Sequence, residues 1–227
     1  MDTVVFVDPK AIDYFTNEVI LVKVNAEKDT LSARQFKVMG YPTLVVTDKS
    51  GKEIDRVFGY LPTDELIKTV TDYRNGIGTL DDLLGKFASK PERAMAFDIA
   101  EKYKGRGEAA DGETWYNKVI SLGEPKDSLS RESRMAVADL FRRDKQYDKA
   151  LAAFGAFAAD FAGSSQAADA EWYRGDVYRR MKDTANAVKV FEEWVAMHPE
   201  ADTGDVRYTK ELIEKLKNPP PKTAETK

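Results

Sequence analysis

One pattern of small and aromatic residues occurs three times in the second half of this 227-residue chain, and it constrains the fold more than any other feature. In each copy a small residue is followed by an aromatic residue three positions later, a second small residue at twelve and a second aromatic residue at sixteen. The sets are Ala100, Tyr103, Gly112 and Tyr116; Ala138, Phe141, Ala150 and Phe154; and Gly175, Tyr178, Ala187 and Phe191. This spacing predicts three pairs of helices that cross closely where small side chains let the backbones approach.

The copies start 38 and 37 residues apart and resemble the tetratricopeptide repeat, whose period of about 34 residues is stretched here by longer turns. Gly112 stands where this repeat has alanine, so the first copy is the weakest match. Residues 204–216 have the pattern of a terminal capping helix. The resemblance implies an all-α array over residues 78–216 whose first helices line a concave, polypeptide-binding groove.

The helix faces that would line this groove each offer an apolar anchor, then an acid, then bases. The candidate peptide-binding residues there are Phe97, Lys104, Met135, Arg142, Trp172 and Arg179. The simpler interpretation is that acids and bases three or four positions apart pair within one helix, contributing only about 0.2–0.5 kcal/mol each. The alternative is a basic ladder of Lys104, Arg142 and Arg179 that holds an acidic peptide or a terminal carboxylate by forked hydrogen bonds.

Residues 1–76 differ in composition, with short β-branched runs between helical stretches. Their predicted order is helix, strand, helix, hairpin, helix. The apolar run 19–25 is typical of a strand buried on both faces of a sheet. Residues 43–47 and 53–58 flank a glycine-containing turn and predict the hairpin. The composition changes at residues 75–78, which predicts a domain boundary there.

The segment Val38-Met-Gly-Tyr-Pro-Thr-Leu-Val-Val46 resembles the loop and strand in which thioredoxin-like proteins place a cis-proline. Gly51-Lys-Glu53 and Gly59 follow in the family's order, so the resemblance covers about residues 1–76. It implies that Pro42 is cis and that Tyr41, Pro42 and Thr43 form a ledge on which partner peptides dock. A plain turn before a strand is the alternative interpretation.

The chain departs from that family in having no cysteine. Thiol–disulfide exchange requires a thiolate, so this chain is not expected to perform it. In the family register the chain begins after the central strand, and the two segments that would flank it, residues 19–25 and 43–47, would each present an unpaired edge. Residues 3–7 are then the end of a helix and a loop, although on their own they fit a short strand. The predicted fold class is α/β plus all-α: an incomplete thioredoxin-like fold followed by tetratricopeptide-type helices.

Composition excludes several functions. Zero cysteines and one histidine, His198, leave almost no ligands for a metal site or a catalytic triad, and no cofactor is predicted. A net charge of −4 provides no field that attracts nucleic acid, and no apolar run is long enough for membrane insertion. The proline-rich residues 217–227 predict a disordered tail.

The sequence therefore predicts a non-catalytic adaptor or chaperone-like module, acting in protein redox homeostasis or folding on a polypeptide partner or client. The alternative is a fragment of a thiol–disulfide oxidoreductase whose Cys-x-x-Cys segment lies upstream of Met1. The unpaired sheet edge would also permit an oligomer. The resemblance favours a bacterial, periplasmic or otherwise exported protein, although no export signal is present in the chain.

Overall fold

A computed structural model describes residues 1–197 and 204–219 and divides the chain into two compact units at Glu124/Pro125. The predicted boundary at residues 75–78 is a turn in which Gly76 and Gly78 have positive φ, and it lies within the first unit. Compactness therefore groups the first helical repeat with the sheet, and the boundary at 75–78 stays a prediction. His198 and residues 220–227 of the predicted tail lie outside the described residues.

The amino-terminal part of the first unit is a hairpin packed against helices. Its elements are α1 (Pro9–Asn17), α2 (Thr30–Gln35), β1 (Thr43–Thr47), β2 (Glu53–Phe58) and α3 (Thr63–Arg74). The strands are antiparallel, with Thr43 opposite Phe58. Phe15, Leu66 and Val70 form the core with Val57 of β2. The predicted helices and hairpin are confirmed.

The predicted strand at residues 19–25 is wrong. This segment has no regular secondary structure, and the sheet of the described residues contains only β1 and β2. The side chain of Ile20 is 94% exposed and that of Val22 is 71% exposed. An apolar run is buried only where a neighbouring strand and a packing layer cover it, and the described residues supply neither. Residues 2–7 form turns, so the short-strand interpretation of residues 3–7 is also wrong.

In the described residues the helical part consists of a first helix, then three hairpins of helices and a last helix. The first unit continues with α4 (Leu80–Ser89), α5 (Arg93–Gly105) and α6 (Ala109–Ser121); the second contains α7 (Ser128–Arg143), α8 (Tyr147–Asp160), α9 (Ser165–Arg180), α10 (Thr184–Ala196) and α11 (Gly204–Lys217). The pairs α5/α6, α7/α8 and α9/α10 pack together, and α11 covers α10. The three predicted helix pairs and the capping helix are confirmed.

The spacing of the repeat has a direct cause in helix packing. The second aromatic residue of each copy, Tyr116, Phe154 or Phe191, is fully buried. In the third copy a Cβ on Gly175 would lie 2.6 Å from Cε1 of Phe191, so only glycine leaves room for that ring.

The same turn joins the two helices of every repeat. Gly107, Lys145 and Lys182, each seven residues after the small residue that begins the copy, have φ of 67°, 61° and 63°. The next backbone N–H donates to the carbonyl of the copy's first aromatic residue, as Gln146 does to Phe141 over 2.8 Å. This left-handed helix ending supports the repeat independently of its side chains.

Candidate polypeptide-binding site

The predicted ledge is held at the end of the hairpin. The Tyr41–Pro42 peptide bond is cis, which confirms that prediction. The Gly59 N–H donates to the Pro42 carbonyl over 2.9 Å, and Thr43 Oγ1 donates to the Gly40 carbonyl over 2.7 Å. These bonds tie the loop to both strands and fix the direction in which Tyr41 projects.

Aromatic side chains in the ledge and at the end of β2 are open to solvent. Tyr41 is 70% exposed, Phe58 50% and Tyr60 54%, and Met39, two residues before Tyr41 in the sequence, is 42% exposed. The Phe58 ring lies over Gly40, where a Cβ would be 3.0 Å from Cζ. We call Met39, Tyr41, Phe58 and Tyr60 the aromatic ledge. Sequence reasoning missed all but Tyr41; the position of Phe58 opposite Thr43 in the hairpin is the signal that would have found it.

A buried carboxylate connects the ledge-bearing sheet to the helices that follow. Asp55 of β2 is fully buried, and its Oδ2 accepts hydrogen bonds from the Leu80 N–H over 2.7 Å and from Lys102 Nζ over 2.8 Å. Arg106 Nη2 lies 3.3 Å from Asp55 Oδ1, and Lys102 also lies over the ring of Tyr73. This cluster joins β2 to the amino end of α4 and to the end of α5, which explains why these helices belong to the first unit.

In the second unit the structure brings two predicted groove residues together on one carboxylate. Arg142 is only 8% exposed, and its Nη1 donates to Asp176 Oδ2 over 2.6 Å. Arg179 and Arg180 also donate to Asp176, and Arg142 binds Asp139 within its own helix. Burial alone would raise the pKa of Asp176, but hydrogen bonds from Arg180 and Arg179 outweigh it and hold that pKa below its usual range.

This cluster retains positive charge at its surface. It contains four guanidinium groups, those of Arg142, Arg143, Arg179 and Arg180, and only two carboxylates, those of Asp139 and Asp176. The side chains of Arg179 and Arg180 are 39% and 40% exposed. We call these six residues the arginine cluster.

The remaining groove candidates have partners of their own. Lys104, in the first unit, pairs with Glu101 at 3.0 Å. Phe97 meets the ring of Tyr116 edge-on, and Met135 packs on the core that contains Phe154. Trp172 donates from Nε1 to Thr209 Oγ1 of α11 over 2.9 Å. The within-helix pairs are thus present in all three repeats, and the basic ladder stays a prediction.

Within residues 1–197 and 204–219, no three or more acidic or histidine side chains are arranged to hold a metal ion. No helix in the same ranges is long and apolar enough to cross a membrane.

Comparison with known families agrees with this architecture. Residues 1–74 match the thioredoxin-like domain, and residues 169–201, which include most of α9 and all of α10, match the tetratricopeptide repeat. The chain thus contains a thioredoxin-like domain and, after it, helices with a tetratricopeptide repeat, as the sequence predicted. A thioredoxin of Chlamydia caviae is 33% identical over 64 residues, which are 28% of this chain and 62% of that thioredoxin. The chain therefore spans less than two thirds of the length of this relative.

Proposed function

We propose that this protein is a non-catalytic polypeptide-binding module whose main contact surface is the aromatic ledge. The observation that carries the proposal is the exposure of Tyr41, Phe58 and Tyr60 beside a backbone that hydrogen bonds hold in place. Aromatic rings supply a large contact area at a low cost in conformational entropy, and exposed apolar clusters of this kind mark interaction sites. The role is that of an adaptor or chaperone-like subunit for unfolded or extended polypeptides.

The backbone of the ledge supports an extended ligand. Neither the N–H nor the C=O of Tyr41 makes a hydrogen bond to another backbone group in the described part of the chain. An extended peptide can pair with such groups while its apolar side chains contact the rings. Since the chain has no cysteine, a disulfide in the bound polypeptide would find no thiolate in this chain to attack it.

The arginine cluster supports a polypeptide contact of its own in the second unit. Its excess of two guanidinium groups over carboxylates favours acidic segments, and guanidinium groups bind carboxylates through paired hydrogen bonds. Arg142 is fully engaged and buried, so we assign the contact to Arg179 and Arg180, and Arg142 holds Asp176 in place.

The test uses a fluorescently labelled, permanently unfolded and alkylated polypeptide, whose binding to the full chain is followed by anisotropy. We expect Tyr41→Ala to weaken binding about 5–30-fold, the loss typical of an aromatic anchor worth about 1–2 kcal/mol. The matched control is Ile77→Ala, because Ile77 is 51% exposed in the same unit but lies outside the ledge. Unchanged affinity of Tyr41→Ala, or equal losses in both variants, would contradict the proposal.

A further inference from the structure

The turns inside the second and third repeats hold lysine in a backbone conformation that favours glycine. Lys145 and Lys182 have φ of 61° and 63°, whereas the first repeat has Gly107 at the equivalent position. We call Lys145 and Lys182 the turn lysines. Outside glycine this left-handed conformation is uncommon, because the Cβ comes too close to the following carbonyl oxygen. Lysine therefore costs stability at both positions, which points to a role for its side chain outside the fold.

Contacts within the repeats do not explain the turn lysines. Both residues are exposed, and neither ammonium group makes an ion pair or a hydrogen bond with another residue in the described part of the chain. The turn uses only their backbones, since the N–H of Lys145 donates to the Arg142 carbonyl over 3.3 Å and the N–H of Lys182 to the Arg179 carbonyl over 3.0 Å. These two bonds tie each turn lysine to an arginine of the arginine cluster.

The turn lysines occur only in the repeats that also carry a pair of arginines. Each pair lies four and five residues after the small residue that begins the copy, and the turn position lies seven residues after it. The pairs are Arg142 and Arg143 in the second repeat and Arg179 and Arg180 in the third. The first repeat has Lys104 and Gly105 instead, and its turn has glycine. Lysine and the arginine pair therefore go together, as expected if they serve one surface.

The turn lysines also decide the charge of that surface. The arginine cluster has four guanidinium groups and two carboxylates. The turns add the carboxylates of Asp144 and Asp183, so without the lysines four positive groups would meet four negative ones. With the two lysines the count is six positive groups to four negative ones. The excess of positive charge at these two turns thus comes from Lys145 and Lys182.

We infer that the turn lysines, together with the exposed Arg179 and Arg180, bind an acidic segment of a polypeptide. This inference rests on the contact proposed above for the arginine cluster, and it names the residues that give that contact its preference for negative charge. A nucleic acid fits less well, because its phosphates follow one another at short, regular intervals and would also meet Asp144 and Asp183. A polypeptide can place its carboxylates at the cations and neutral side chains at the aspartates.

The test measures binding and stability in the same variants. The ligand is a fluorescently labelled peptide of alternating glutamate and serine, and its binding to the full chain is followed by anisotropy. We expect Lys145→Gln/Lys182→Gln to weaken binding about 3–20-fold, since each exposed charge contributes a modest amount, and to leave the midpoint of thermal unfolding unchanged. Lys145→Gly/Lys182→Gly should weaken binding equally but raise that midpoint by about 2–5 °C, because glycine relieves the backbone strain.

Lys189→Gln is the matched control for the loss of a positive charge. Lys189 is also exposed in the second unit, but it lies within α10 and outside the two turns. We expect this variant to change neither the affinity nor the midpoint. A labelled oligonucleotide with the same number of charges as the peptide should bind more weakly than the peptide.

Unchanged affinity in both lysine double variants, or an equal loss in Lys189→Gln, would overturn the proposal. So would tighter binding of the oligonucleotide, or a glycine variant whose unfolding midpoint does not rise. Arg180→Gln separates this proposal from the one on which it rests. If Arg180→Gln weakens binding and the lysine variants do not, the contact of the arginine cluster stands and the turn lysines take no part in it. If the unmodified chain does not bind the peptide, both fail.

Discussion

The second unit buries large aromatic side chains almost completely, whereas the amino-terminal segment of the first unit exposes many apolar side chains. Phe154, Phe157 and Phe191 are at most 1% exposed, while Ile20 is 94% and Val22 71% exposed. A helix of a repeat finds the residues that cover it within the next few dozen positions, because its neighbours are adjacent in sequence. Residues 19–25 have no such neighbour, because the two strands of the described residues pair with each other. Both regions contain apolar runs, and they differ in whether other residues of the chain cover those runs.

The largest expected effect compares one large side chain from each region. Phe154→Ala should lower the free energy of unfolding by about 3–5 kcal/mol, because Phe154 of α8 is fully buried and stacks on the ring of Tyr173 in α9. Ile20→Ala should change it by less than about 0.5 kcal/mol, because the side chain contributes almost no buried area. Urea titrations followed by circular dichroism, at a concentration that keeps the chain monomeric, measure both. Similar losses would show that the segment around Ile20 is covered within the monomer.

The next effect concerns how the two kinds of structure are joined within the first unit. Asp55→Asn should cost about 3 kcal/mol, because it leaves the buried ammonium of Lys102 without its carboxylate. Tyr73 keeps the loss at the lower end of the usual range, since it retains a contact with Lys102. The same titrations measure it, with Asp64→Asn as the control.

Asp64 pairs with Lys10 on the surface, so that control should leave the titration unchanged. If Asp55→Asn were equally silent, the cluster would not hold the first helical repeat to the sheet.

The two smallest expected changes in stability come from glycine substitutions in the second unit. They test the close packing of its helices and have opposite signs. Gly175→Ala should destabilise by about 1–3 kcal/mol, because the new methyl group would overlap the buried ring of Phe191. Gly155→Ala, inside α8, has room, with its nearest neighbour atom at 3.8 Å, and should stabilise by about 0.5–1 kcal/mol through helix propensity. Thermal unfolding of both variants decides this. A stabilising Gly175→Ala would contradict the packing described for the repeat.

These contrasts explain which parts of the structure could be predicted from the sequence. The helix pairs and the hairpin follow from local spacing, and the cis-proline ledge follows from the family resemblance. Residues 19–25 were predicted as a buried strand because a continuous apolar run reports only what a segment can bury, and the described residues contain no strand that pairs with it. The buried role of Asp55 could not be predicted from the sequence for a related reason. Its partners Leu80 and Lys102 lie 25 and 47 residues away.

The arginine cluster could be predicted from the sequence only in part. The sequence placed acids and bases on one helix face and left open whether they pair with each other or with a ligand. The pairing of Arg142 with Asp176 crosses from α7 to α9, a contact 34 residues apart that the within-helix interpretation did not contain. Periodicity identifies the face, but only the packing of successive repeats identifies which bases are buried and which remain exposed.

Amide hydrogen exchange, resolved by residue, tests the difference between the two regions most directly. We expect the amides of residues 20–24 to exchange at nearly unprotected rates, because they make no backbone hydrogen bond in the described residues. The amides in the middle of α8 and α10 should be strongly protected. Strong protection of residues 20–24 would contradict the account, because it would mean that this segment is already paired within its own chain.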